Sequence, residues 1–180
     1  MAKIIYKEGC EGQNNLSSIE GIEIELLNGQ KALIYPKYAE RQMLTVEQML
    51  TVEQMAKWDA AEENEIEALK VEDTNGKTKA LLKIGCPAAE WVSQFKSDNR
   101  GVFCLPSLLS ALETQYQKWE IDALAKTIEG ADLLIASNYS IVSCSRYGVD
   151  YCWYANGGSG LANNNHLYYF YLVVPTILYK

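Results

Sequence analysis

The side chains best suited to acid–base, thiol or metal chemistry in this 180-residue chain are one histidine and five cysteines. His166 lies in Asn163-Asn164-Asn165-His166, with no carboxylate close in sequence to orient it as a general base. A lone histidine excludes His-cluster metal sites and gives a Ser-His-Asp triad little support. It reads as a surface contact residue. Cys10, Cys86, Cys104, Cys144 and Cys152 are odd in number, and their spacings fit no zinc pattern. They read as free, mostly buried thiols. Cys144 and Cys152, eight residues apart, are placed to face each other across a loop. No phosphate-loop or dinucleotide fingerprint occurs, and Gly157-Gly158-Ser159-Gly160 reads as a turn. Acids are scarce after Ala131, so a dedicated calcium site is not expected. No catalytic residue, metal or cofactor is expected.

Recognition chemistry is better represented. The net charge is −7, which repels phosphate backbones, and no basic patch compensates, so no nucleic-acid partner is expected. The acidity sits in the first half: residues 37–73 carry ten acids against four bases, whereas residues 131–180 carry two of each. Those last fifty residues hold eight of the twelve tyrosines (139, 147, 151, 154, 168, 169, 171 and 179) and five asparagines (138, 156, 163, 164 and 165). Tyrosine offers a large amphipathic contact with few rotors, and Asn, Ser and Gly add adaptable hydrogen bonds, as in antibody paratopes. Such a surface suits protein epitopes or sugars. The alternative is a polar β region whose tyrosines simply cover a sheet.

The elements that must carry these residues follow from patterning. Ile22–Leu26 alternates apolar and polar, Asn28-Gly29 favours a turn, and residues 31–35 follow, ending at Pro36: a hairpin, with Lys3–Tyr6 as a further strand. Residues 45–70 lack Pro and Gly and are rich in Ala, Glu, Leu, Met and Gln, which predicts an acidic helix. Inside it Leu44–Met49 repeats as Leu50–Met55; a six-residue shift does not return to one helix face, so this is a tandem duplication rather than a heptad seam. Residues 74–77 read as a turn, Thr78–Ile84 as a strand and Ala88–Phe95 as a short helix entered at Pro87. Ser107 is placed to cap a helix with a Leu108, Leu109, Leu112 and Tyr116 stripe, and Ile121–Ile128 continues as helix. Trp91, Trp119 and Trp153 read as core. Leu167–Tyr179, broken by Pro175, reads as one or two buried strands, too short to span a membrane. No secretory h-region opens the chain, which predicts cytoplasmic synthesis without membrane insertion.

Two short helices, Leu105-Pro106-Ser107 before the second, Trp153-Tyr154-Ala155, the Gly157-Gly158 and Gly160 turn, and closing Val173-Val174-Pro175 occur in the order seen in bacterial and phage C-type-lectin-like domains. Residues 78–180 resemble the variable proteins of diversity-generating retroelements most. Phe103-Cys104 stands where that family has Trp-Arg, Val142-Ser143-Cys144-Ser145 is a partial Trp-Ser-Ser, and Val174 replaces an arginine. No Glu-Pro-Asn or Gln-Pro-Asp sugar motif of calcium-dependent animal lectins occurs.

The resemblance implies an α+β fold: a C-type-lectin-like ligand-binding domain over 78–180, preceded by a hairpin and acidic helix over 1–75 that tether it or pair with sister chains through 45–70. It implies non-catalytic binding of a protein or glycan on a cell surface, as in virion-associated phage or prophage receptor-binding proteins. The implied contact, and hypervariable, positions are Ser145, Tyr147, Asp150, Tyr151, Asn156, Ser159, Asn163, Asn164, Asn165, His166 and Tyr168. The alternatives are a structural phage or fimbrial subunit with no ligand of its own and, on a fold that resembles formylglycine-generating oxidases too, an oxidase using Cys144 and Cys152.

Overall fold

A computed structural model describes residues 1–45, 64–135, 139–148 and 151–180. The architecture is α+β, with two main sheets. The first is antiparallel, in the order β1 (Lys3–Tyr6), β2 (Ile19–Glu25), β3 (Lys31–Ile34) and β11 (Thr176–Tyr179). The expected hairpin closes at Gly29, which adopts φ +81°, and Leu26 donates its N–H to the Gln30 carbonyl at 2.8 Å. Gly21 permits a close approach: a Cβ there would lie 2.6 Å from the Ile34 carbonyl oxygen.

The second sheet has the order β4 (Ala39–Arg41), β10 (Tyr171–Val173), β7 (Ile141–Tyr147), β8 (Tyr151–Ala155) and β9 (Ala162–His166). Only β10 and β7 run parallel. A third, two-stranded ribbon joins β5 (Lys96–Ser97) to β6 (Gly101–Val102). Pro175 breaks the last apolar stretch where the chain leaves the second sheet for the first. Its carbonyl accepts from Tyr35 N–H, and Thr176 exchanges backbone bonds with Cys104.

Five α-helices lie among the described residues: α1 (Glu65–Leu69), α2 (Thr74–Lys83), α3 (Pro87–Val92), α4 (Leu108–Tyr116) and α5 (Lys118–Ala125). One face of the second sheet (Ile141, Ala155, Leu172) shares a core with Ile22, Ile24 and Ile34 of the first sheet and with Ala111 and Ile121 of α4 and α5. The other face (Val142, Cys152, Tyr154, Val173) packs on Leu81 of α2 and on Ala88, Ala89 and Val92 of α3. The second sheet is therefore a middle layer, covered on both sides.

Several expectations are corrected. Thr74–Lys83 is helix rather than turn and strand. The Asp73 carboxylate accepts the Gly76 N–H at 2.8 Å and caps the first turn, and Thr74, Lys77, Thr78 and Leu81 are buried at helical spacing. The boundary drawn at 75–78 thus falls inside a helix. The N-terminal strands are not a separate tether: β3 pairs with β11 and β4 with β10, so both ends of the chain build both sheets. Tyr116 and Trp119 lie outside the core, at 85% and 68% exposure, because the buried face of α4 turns through Leu108, Ala111 and Thr114 and that of α5 through Ile121, Asp122 and Ala125. Of the predicted helix over 45–70 only residue 45 and residues 64–70 are described, with helix at Glu65–Leu69; the remainder, and nearly all of the repeat, lies outside the described residues.

Candidate functional site

The contact positions expected from the sequence gather on β7, β8 and β9, and pairing decides which of them share a face. Opposed residues of antiparallel strands point to the same side, and successive residues alternate. Tyr151 pairs with His166 and Trp153 with Asn164; Cys152 pairs with Asn165 and Tyr154 with Asn163. The asparagine run is therefore split between the two faces of β9.

On the first face His166 stacks on Tyr168, with ring centroids 5.3 Å apart, and meets the tilted ring of Tyr151 at 4.2 Å. The Tyr151 hydroxyl lies 3.0 Å from His166 Nε2. Tyr147 meets both Tyr151 and Trp153 edge-on. The result is a half-buried aromatic row whose inner end, Trp153, packs on Ala68 and Leu108. Among the described residues the side-chain partners of His166 are Tyr151, Tyr168 and Tyr169, and no carboxylate lies against it, so these contacts suit recognition rather than proton abstraction.

β9 is an edge strand, and its amides serve the backbone. Asn163 Oδ1 accepts the Asn164 N–H at 2.8 Å, and Asn165 Oδ1 accepts the His166 N–H at 2.9 Å. Occupied N–H groups blunt the edge against pairing with another strand. The amide NH2 groups of Asn163 and Asn165 remain as outward donors.

The other positions divide. Asn156 Oδ1 accepts the N–H groups of both Gly158 and Ser159 at 2.9 Å, so Asn156 shapes the turn, while Ser159 stands exposed at its tip. Ser145 is withdrawn from the contact set: it is fully buried. Three residues, Ser143–Ser145, oppose the single Trp153 where β7 bulges, and the Ser143 hydroxyl donates to the Trp153 carbonyl at 2.8 Å in place of a ladder bond. Asp150 lies outside the described residues.

No disulfide joins any of the five cysteines. Cys144 and Cys152 are both buried in the core beneath α2 and α3, and burial pushes the Cys152 thiol up to about 12. That is the opposite of the depressed pKa that activates a thiolate. Among the described residues no three His, Cys, Asp or Glu side chains are grouped to hold a metal, and no helix is long and apolar enough to cross a membrane.

Sequence reasoning missed three exposed aromatics beside the second face. Tyr139, Tyr169 and Phe170 are 42%, 51% and 59% exposed, and with Ser140, Tyr154 and Asn165 they line a cavity of about 300 Å³. Tyr139 and Tyr169 were part of the tyrosine excess, but nothing in their spacing marked them as exposed; Tyr169 and Phe170 lie in the turn between β9 and β10, and Tyr139 just before β7. Comparison of the chain with protein-family models, with curated proteins and with solved structures returns no match.

Proposed function

We propose that the protein is a non-catalytic ligand-binding protein built on a C-type-lectin-like domain, of the kind found in phage or prophage receptor-binding proteins. Its contact surface is the outer edge of the second sheet: Tyr147, Tyr151, Ser159, Asn163, Asn164, Asn165, His166 and Tyr168. The observation that carries this reading is the edge strand β9, which presents three amides and an aromatic stack from a ladder covered on both faces. Rigid aromatic anchors beside adaptable amides suit a paratope, because little side-chain entropy is lost on binding. The Ser107-capped α4, the Trp153-Tyr154-Ala155 strand and the crossing at Pro175 stand in the order that the lectin-like resemblance requires.

The test is deep sequencing of the segment encoding residues 137–180 across a natural population of the source. The expected result is variation concentrated at Tyr151, Ser159, Asn163, Asn164 and Tyr168, with Trp153, Ser145 and Pro175 constant. Variation spread evenly, or none, would remove the diversified-binder reading.

A second reading, an assembly subunit, is favoured by one feature. Tyr116 and Trp119 are exposed, and Gln117 between them donates to the Glu25 carbonyl, which brings the exposed Leu27 hairpin tip alongside. Sedimentation of the full chain would separate the two: a stable oligomer that Trp119→Ser dissociates favours assembly, and a monomer counts against it.

A further inference from the structure

The cavity between β8, β9 and the β9–β10 turn differs in chemistry from the aromatic row on the opposite face. The buried Tyr154 and Tyr171 and the exposed Tyr139, Tyr169 and Phe170 line it, with Ser140 and Asn165. No lysine, arginine, aspartate or glutamate lines it. Tyr139 is held from outside by a hydrogen bond to the Glu40 carboxylate, which raises its pKa and keeps its hydroxyl a donor. Asn165 spends its carbonyl on the His166 N–H, so its NH2 is left to donate. Ser140 Oγ accepts the Gly157 N–H at 3.3 Å, and its own proton remains to give.

We propose that this pocket binds one neutral pyranose unit of a glycan. A pyranose has a C–H face that packs on aromatic rings and a rim of hydroxyls that accept hydrogen bonds from an amide or a hydroxyl. Both features are matched here. A volume of about 300 Å³ is at the small end of ligand pockets, the scale of a single ring system. A carboxylated or phosphorylated sugar would meet no cation. A flat protein epitope would need a far larger area than this concavity offers. The proposal deepens the binding reading above and rests on it at Asn165. Tyr139, Tyr169 and Phe170 lie outside the positions named there, so one can fail without the other.

The experiment is saturation-transfer difference NMR on the full chain with the methyl glycosides of glucose, galactose, mannose and N-acetylglucosamine, and with N-acetylneuraminic acid as a charged probe. Transfer to the ring C–H protons of at least one neutral glycoside is expected, with a Kd on the order of 1 mM. Phe170→Ala and Asn165→Leu should each weaken it tenfold or more; both positions are solvent-accessible, and thermal unfolding of the variants verifies the fold. Val102→Ala, exposed on β6 and outside the pocket lining, should change it less than twofold. The pocket assignment is overturned if no neutral glycoside shows transfer, if transfer survives both variants, or if the charged sugar is preferred. If it is overturned while natural variation still concentrates at Tyr151, Asn163, Asn164 and Tyr168, only the pocket falls.

Discussion

The first sheet and the outer edge of the second are both antiparallel ladders, yet they spend their side chains differently. In the first, Ile22, Ile24, Leu33 and Ile34 are fully buried, and the buried Glu23 gathers Lys3 at 3.1 Å, Lys31 at 3.8 Å and the Tyr179 hydroxyl. Nearly every group there closes on another group of the same chain. At β9 the apolar positions are replaced by Asn163, Asn164 and Asn165, and the side-chain carbonyls of Asn163 and Asn165 accept backbone N–H groups of the strand. The first region spends its residues on stability. The second, resting on a middle layer that is already buried, is free to spend them on contact.

Substitutions sharpen this contrast, and the largest effects belong to the first sheet. Ile24→Ala should cost about 2–5 kcal/mol in denaturant titration, as removal of a fully buried branched side chain does. Gly21→Ala should also destabilise strongly, because its Cβ would press on the Ile34 carbonyl and Leu33 side chain. A change within experimental error for either would mean that the sheet relaxes easily and that the contrast is overstated.

An intermediate effect is expected at the aromatic row. Tyr151→Phe keeps the stack and loses only the hydrogen bond to His166, for about 0.5–1.5 kcal/mol by thermal unfolding.

The pH response belongs to the first sheet as well. Burial raises the Glu23 carboxyl, but the Tyr179 hydroxyl, Lys3 and Lys31 outweigh it and hold the group below the usual carboxylate range. A carboxylate whose folded pKa lies below its unfolded value stabilises the fold above the unfolded pKa, near 4.5, and that stability is lost as pH falls through the folded value. Wild-type stability should therefore decline below about pH 4.5 more steeply than that of Glu23→Gln. Identical acid limbs would show that Glu23 is not a principal source of the decline.

The smallest effect is expected at the edge. Asn163→Ala should change stability by less than about 0.5 kcal/mol, as exposed substitutions usually do. A loss as large as that of Ile24→Ala would make β9 a structural strand and would remove the contact reading.

Local signals in the sequence were sufficient wherever one residue dictates the backbone. Asn28-Gly29 supplied the positive φ of the hairpin, Pro87 opened α3, Ser107 capped α4 through the Ser110 N–H at 3.1 Å, and Pro175 divided the last two strands. They failed at residues 74–84, where Asn-Gly after Thr resembles a hairpin turn. The Asp73 cap, one residue earlier, commits the segment to helix, and the packing of Leu81 on the second sheet holds it there. The excess of tyrosine and asparagine in the last fifty residues was likewise plain from composition, but its division was not.

What the sequence determined alone was composition, charge distribution, turns and caps, all of which depend on residues close together in the chain. Only the tertiary structure decided that the first strands pair with the last, that Ser145 is buried under a bulge, and that Asn164 and Asn165 face opposite ways. Those outcomes depend on register between strands far apart in sequence. A shift of one residue in that register exchanges every inward side chain for an outward one.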